Sequence, residues 1–322
     1  MVFWRKFLIV GRCKCCCMVK LDPSDIRRSK DMKLRVVSED KLMESRERRN
    51  VWEKVYGFRP TSIWDIGSKA NWKYSRVLQR LMGESVASDS YLTGRISDGV
   101  VLVPDGKSVS QFPLELARRI VLFWSCEDDR VFDPFSGMGE RMQVTAYLGR
   151  HYYGYDVSKK FYLQKENLLN RNLLIPFKGE RHNFLHDSRT VEFPTGFFDF
   201  SFTSPPYFDV EVEAYGDEPE QLGKARTLEC FYEELGKCIS ENVRVVKDGA
   251  YIVWVVGDFR RNGKLIAFHA DLIDLMKKYG AILHDIIIYE VGTLSAAFLK
   301  PLMDQKHMGK THEYVLVFKK AF

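Results

Sequence analysis

Residues 130–139 read Arg130-Val131-Phe132-Asp133-Pro134-Phe135-Ser136-Gly137-Met138-Gly139, and the fold turns on them. A short strand, Arg130–Pro134, meets a turn at Gly137–Gly139 that opens a helix predicted to reach about Leu148. That order lets a ligand approach the backbone where amide groups point outward. The stretch lacks the full G-x-G-x-x-G spacing of a dinucleotide fingerprint, so by itself it fits a plain tight turn as well as a binding turn.

Outward from this stretch the pattern alternates. Upstream, Leu116, Ala117, Ile120, Val121 and Trp124 recur at helical spacing behind Pro113, a residue suited to a first turn. Downstream, strands are predicted at His151–Val157, Arg181–His186 and Phe197–Thr203. A helix runs through Asn170, and another from about Leu228 to Val246 ends at the turn Asp248-Gly249. Ala250–Val256 is apolar throughout, as a strand covered on both faces requires. Phe268, Leu272, Leu275, Met276 and Tyr279 mark a further helix stopped by Gly280. Strands at Ile282–Tyr289 and Tyr314–Lys319, flanking an irregular 292–311 stretch, bring the total to seven. The expected fold is therefore α/β, a doubly wound and mostly parallel seven-stranded sheet. It occupies residues 112–322, behind a basic Cys-rich segment at 1–50 and an auxiliary region at 51–111.

Composition narrows the class. With 45% hydrophobic and 29% charged side chains in 322 residues, the chain is neither disordered nor collagen-like. No run of apolar residues is long enough to span a membrane as a helix. The net charge of +6 is concentrated in residues 1–50, which hold 14 basic and 7 acidic side chains. This excess fits a solvated tail or a nucleic-acid contact equally. Cys13, Cys15, Cys16 and Cys17 cluster without the second pair that a zinc site needs, and no metal is expected. Cys126, Cys230 and Cys238 are scattered and read as buried thiols of a reducing compartment.

Three successive strands end in an acid: Asp133, then Asp156, then Asp187. Each alone could be a helix N-cap. All three lie at the carboxyl edge where α/β sheets bind ligands, and an acid at the second strand's tip suits ribose hydroxyls. The fourth strand ends in Thr203-Ser204-Pro205-Pro206-Tyr207. Two prolines hold a rigid extended turn and donate no backbone hydrogen bonds. Such a turn aims the Ser204 hydroxyl and the Pro205 carbonyl outward as acceptors, with Tyr207 beside them as a stacking plane, an arrangement suited to an exocyclic amino group on a planar base.

With these residues in view, the chain resembles the S-adenosylmethionine-dependent amino-methyltransferases that modify exocyclic nitrogens of DNA bases. That family carries D-P-F-x-G-x-G after strand one and [DNS]-P-P-[YFW] after strand four, matched here by Asp133–Gly139 and Ser204–Tyr207. Phe112-Pro113 and its helix are similar to the family's cover over the methionine end of the cofactor. Thr61–Asp65, Val256–Arg260 and Lys310–Tyr314 are similar to phage-type and mobile-element DNA methylases. Where members commonly read G-S-G-T, this chain has Gly137-Met138-Gly139-Glu140, which removes a small hydroxyl near the cofactor.

The resemblance implies a class I, Rossmann-like methyltransferase domain with S-adenosyl-L-methionine as cofactor. Asp133, Phe135, Gly137, Gly139 and Pro113 would hold its methionine part, Asp156 the ribose and Asp187 the adenine amino group. Ser204, Pro205, Pro206 and Tyr207 would receive a base flipped out of double-stranded DNA, cytosine N4 favoured slightly over adenine N6 because serine opens the tetrad. Methylation at cytosine carbon 5 would need a cysteine nucleophile, typically after proline, and no cysteine here follows one. The 208–226 segment is expected as a lid, and Asp258, Arg260 and Arg261 as contacts to the nucleotide or its phosphate, with a surface turn an equal reading for the two arginines. Lys300, Lys306 and Lys310 are expected to face phosphates, and His312 to be structural. The resemblance implies a cytoplasmic protein of a bacterial or phage-infected cell, leaving a restriction endonuclease partner and the oligomeric state open. An RNA or protein amino-methyltransferase and an inactive cofactor-binding partner are the alternative readings.

Overall fold

The computed structural model describes residues 58, 60–65, 100–102, 108–110, 112–170, 177–210, 215–291 and 296–321. The Cys-rich segment at 1–50 and most of the auxiliary region at 51–111 lie outside the described residues.

In chain order the elements are β1 (Ile63–Asp65), β2 (Val100–Leu102), β3 (Ser108–Ser110), α1 (Leu114–Trp124), β4 (Arg130–Asp133) and α2 (Glu140–Tyr147). Then follow β5 (His151–Asp156), α3 (Lys159–Leu169), β6 (Arg181–Leu185), β7 (Phe198–Thr203) and α4 (Leu228–Val245). The chain continues with β8 (Val246–Val256), β9 (Phe259–Arg261), β10 (Lys264–Ile266) and α5 (Phe268–Lys278). It closes with β11 (Ala281–Glu290), α6 (Ala296–Asp304) and β12 (His312–Lys320).

Among the described residues the main sheet has eight strands, in the order β1-β11-β12-β8-β7-β4-β5-β6. Only β12 runs against the others, pairing antiparallel with both β11 and β8. The eighth strand corrects the expected seven. Ile63, Trp64 and Asp65 pair parallel with Ile288, Tyr289 and Glu290 at the edge of the sheet. Three residues are too short for a period to register, but Trp64 is buried and packs 5.8 Å from Trp124 of α1.

Two boundaries also move. The Asp248-Gly249 turn lies within β8, where the pairing with β7 slips between Phe198 and Phe200. Gly249 has φ of 72°, a conformation glycine adopts without a Cβ penalty, so the turn is an irregularity in the strand rather than its start. The stretch read as irregular at 292–311 contains α6.

Local chemistry accounts for the helices. Thr227 caps α4 by accepting from the Cys230 amide, and Ser158 caps α3 by accepting from Phe161. In α1 the expected face is buried, with Leu116, Ala117, Ile120 and Val121 fully inaccessible. The sheet core is aromatic: Phe132 stacks on Phe198 at 4.8 Å and meets Tyr155 edge-on at 5.4 Å. Burying each such ring stabilises the fold by about 1.5–3 kcal/mol. Cys238 is part of this core, whereas Cys230 is exposed, contrary to its reading as a buried thiol.

From β4 the chain builds β5 and β6 on one side and returns to β7 on the other, both neighbours running parallel to β4. The strand order therefore reverses at β4/β7, and α/β sheets open their crevice at such a point, beyond the carboxyl ends of the strands. The turns after Asp133 and after Thr203 both emerge there.

Candidate active site

A cavity of about 340 Å³ occupies this crevice. Of the residues expected from sequence, Pro113, Phe135, Gly137, Asp156, Asp187 and all four of Ser204–Tyr207 line it. Asp133 and Gly139 do not.

Asp133 sits behind the wall as a keystone. Its side chain is fully buried and accepts from Arg141 Nε at 2.7 Å, Tyr152 OH at 2.7 Å, Thr203 Oγ1 at 2.6 Å and the Phe135 amide at 3.2 Å. These bonds tie the ends of β4 and β7 to the start of β5 and the first turn of α2. Burial pushes the Tyr152 phenol well above its ordinary range, and the Asp133 charge adds to that, so the phenol stays a donor. Fully buried and absent from the cavity lining, Asp133 braces the turn that does line it. Gly139 likewise lies behind the wall. Its φ of 104° suits glycine, and an added Cβ would come within 3.0 Å of Lys165.

Lys165 is a residue that pattern reading missed. It projects from α3, is completely buried, and donates to Ser136 Oγ at 2.5 Å and to the Gly137 carbonyl at 3.0 Å. Its ammonium also lies 4.0 Å from Asp156. Burial lowers its pKa, and the Asp156 charge opposes that shift. Asp156 in turn accepts from the Gly137 and Ser158 amides at 2.7 and 2.8 Å. Burial raises the Asp156 pKa, while Lys165 and the two amides pull it back. The glycine turn and the second acid are thus one hydrogen-bonded unit.

Asp187 meets the guanidinium of Arg189 through both carboxylate oxygens, with Nε at 3.0 and 2.9 Å. Arg189 is anchored on its far side by Glu234 at 2.6 Å. Hydrogen bonding to Asp187 raises the arginine's pKa further above its ordinary value. This ion pair orients the third acid at the cavity wall.

In the proline turn, Pro205 is buried and Ser204, Pro206 and Tyr207 are half-buried. The Tyr207 hydroxyl accepts from the Gly257 amide at 2.8 Å, and its ring meets Phe259 and Phe268, both 5.6 Å away. The tetrad is therefore braced against the end of β8. Within the expected lid, Tyr215 and Glu218 meet the start of α3: Ser158 donates to the Tyr215 carbonyl at 2.5 Å, the Lys159 amide donates to Glu218 at 2.9 Å, and Tyr215 meets Phe161 at 5.4 Å.

The residues after β8 divide. Asp258 turns to His269, whose Nδ1 lies 2.7 Å away, rather than into the cavity. Arg261 holds Asp209, just beyond the tetrad, and Arg260 is exposed. Lys310 and Glu313 reach the cavity wall, 3.9 Å apart. His312 contacts the Tyr314 hydroxyl at 3.2 Å.

Comparison with known proteins supplies an independent finding. The family model described as DNA methylase matches residues 17–167 and 198–321. The orphan methyltransferase M.BamHII of Bacillus amyloliquefaciens is 44% identical over 50 residues, 16% of this chain and 19% of that protein. The type II methyltransferase M.MthZI of Methanothermobacter thermautotrophicus is 36% identical over 67 residues, 21% of this chain and 19% of that protein. The matches thus span about a fifth of these curated relatives. Among solved structures, a putative DNA modification methylase from Thermus thermophilus, complexed with S-adenosyl-L-methionine, is 30% identical over 42% of this chain and 54% of that chain, with a TM-score of 0.32.

Proposed function

The chain belongs to the DNA methylase family, and on that premise we propose that it transfers a methyl group from S-adenosyl-L-methionine to an exocyclic amino group of a base in DNA. One observation carries the reading. The Ser204–Tyr207 turn and the acids Asp156 and Asp187 share one cavity at the strand-order reversal.

The wall suits that cofactor chemically. Asp156 would take the ribose hydroxyls and Asp187, oriented by Arg189, the adenine amino group. Phe135, Gly137 and Pro113 would flank the methionine part, and Asp133 and Gly139 support them from behind. When bound, S-adenosylmethionine supplies an electrophilic methyl group and leaves as a neutral thioether. The chain's own work is orientation. Ser204 Oγ and the Pro205 carbonyl accept the two amino hydrogens and turn the nitrogen lone pair out of conjugation with the ring. Its surplus proton then passes by way of Ser204 to water. Such alignment contributes up to about 7–11 kcal/mol to lowering a barrier.

In duplex DNA the amino group is hidden, so the base is flipped onto the Tyr207 ring, at a cost of a few kcal/mol. Cytosine N4 is favoured over adenine N6 because serine opens the tetrad. Catalysis belongs to residues 112–322. The 51–111 region and the lysines at 300, 306 and 310 contribute DNA contacts. Offering duplexes whose methylatable bases are only cytosine or only adenine, then digesting them to nucleosides, tests the base. N4-methyldeoxycytidine is the expected product, and N6-methyldeoxyadenosine alone would reassign the site to adenine.

Lys165 gives a further prediction. Lys165→Met keeps the stem but removes the ties to Ser136 and Gly137. A charge-assisted hydrogen bond is worth about 1.5–3 kcal/mol, so cofactor affinity is expected to fall roughly tenfold or more. Equilibrium titration with the cofactor checks this, and unchanged affinity would contradict the coupling of Lys165 to the glycine turn.

A further inference from the structure

We propose that Glu140 is the carboxylate that receives the α-ammonium group of the cofactor's methionine moiety, an inference that rests on the cofactor reading above. Glu140 is the first residue of α2, directly after the glycine turn. It is only 5% exposed, yet it belongs to the cavity wall. Its Oε1 is sealed from solvent and has no hydrogen-bond partner among the described residues, and apart from its own backbone amide no neutral donor serves the carboxyl.

The cations nearest to it are committed elsewhere. Arg141 of the same helix binds Asp133 and the Phe135 carbonyl. Lys165 from α3 binds Ser136 and Gly137. Asp133 of β4, the remaining charge close by, is an anion and opposes ionisation of Glu140. A buried carboxylate with an orphan oxygen is costly to hold, and a cation delivered by a ligand relieves that cost.

Sheet order says which cation. β4, β5 and β6 are neighbours in that sequence. With adenine at the tip of β6 and ribose at the tip of β5, the amino-acid end of the cofactor falls beside β4 and α2, where Glu140 stands. The sulfonium is adjacent to the ribose and must face Ser204 on the other side of β4. The ammonium, further along, is left to Glu140. This also gives a reason for glutamate following Gly137-Met138-Gly139, where a small hydroxyl is common in the family.

Burial holds the Glu140 carboxyl above its ordinary pKa. An arriving ammonium stabilises the ionised form and draws that pKa down, so binding releases a proton in the window between the two values.

Calorimetry on the full chain tests this with three probes: S-adenosylmethionine, which carries ammonium and sulfonium; S-adenosylhomocysteine, which keeps the ammonium alone; and 5′-methylthioadenosine, which has neither. Glu140→Gln and Glu140→Thr are expected to bind the first two on the order of tenfold more weakly and the third as the wild type does. Proton release on binding S-adenosylhomocysteine, read from the dependence of the heat on buffer ionisation enthalpy, should vanish in both variants. Unchanged affinities, or an equal loss for all three probes, would overturn the assignment and leave Glu140 as a helix-terminal residue. A loss confined to S-adenosylmethionine would overturn it in favour of the sulfonium. If the wild type binds none of the probes, the cofactor reading itself falls.

Discussion

Asp133→Ala is expected to destabilise the protein by about 3–5 kcal/mol, the usual cost of stripping one partner from a buried ion pair. The variant leaves Arg141 buried beside an empty space, and the hydroxyls of Tyr152 and Thr203 lose their acceptor. A residue that only touched a ligand would behave differently: its loss would weaken binding and leave folding alone. Urea unfolding distinguishes the two. The midpoint should drop in Asp133→Ala with little change in slope. Asp133→Asn, which keeps the shape and one acceptor oxygen, should recover part of the loss. A wild-type midpoint for Asp133→Ala would contradict the keystone role.

Ser204→Ala should have the opposite signature. The Ser204 hydroxyl makes no hydrogen bond to any described residue, so removing it costs the fold little. Methyl transfer to DNA is expected to fall by about 10²-fold, the scale of losing one orienting contact on the reacting group. Cofactor affinity and the unfolding midpoint should stay at wild-type values. Single-turnover kinetics with saturating cofactor and DNA checks this, because it isolates the transfer step from binding. Retained transfer would remove Ser204 from the mechanism.

The contrast between Asp133 and Ser204 also marks what a sequence can reveal. Both stand at strand ends in recognisable motifs, and both were readable as site residues. Motif position says that a residue is near the crevice. It does not say whether the side chain points into the cavity or back into the wall, which depends on neighbours far away in the chain such as Tyr152 and Thr203. Gly139 illustrates the same limit, being placed by its left-handed backbone and by Lys165 packed behind it.

Lys165 itself carried no signal. A lone lysine on an amphipathic helix reads as solvated, and only the packing of α3 against the glycine turn buries it. Arg189 likewise looked ordinary until it closed on Asp187. The alternation of strands and helices from 113 to 320 was legible because hydrophobic period dominates there. Ile63–Asp65 was not, since an edge strand of three residues takes its place from pairing with β11 rather than from any pattern of its own. Glu140 was visible as a departure from the family pattern, but its orphan oxygen is a property of the fold.

Methyl transfer to an amino nitrogen in DNA is tested by following labelled methyl from S-adenosyl-L-methionine. The full chain would be offered unmodified duplex DNA, RNA and protein in parallel, and each product digested and resolved by mass. Label is expected in DNA, on N4-methyldeoxycytidine or N6-methyldeoxyadenosine, and is expected to be lost in Ser204→Ala. Label only in RNA or protein, or on carbon 5 of cytosine, would contradict it.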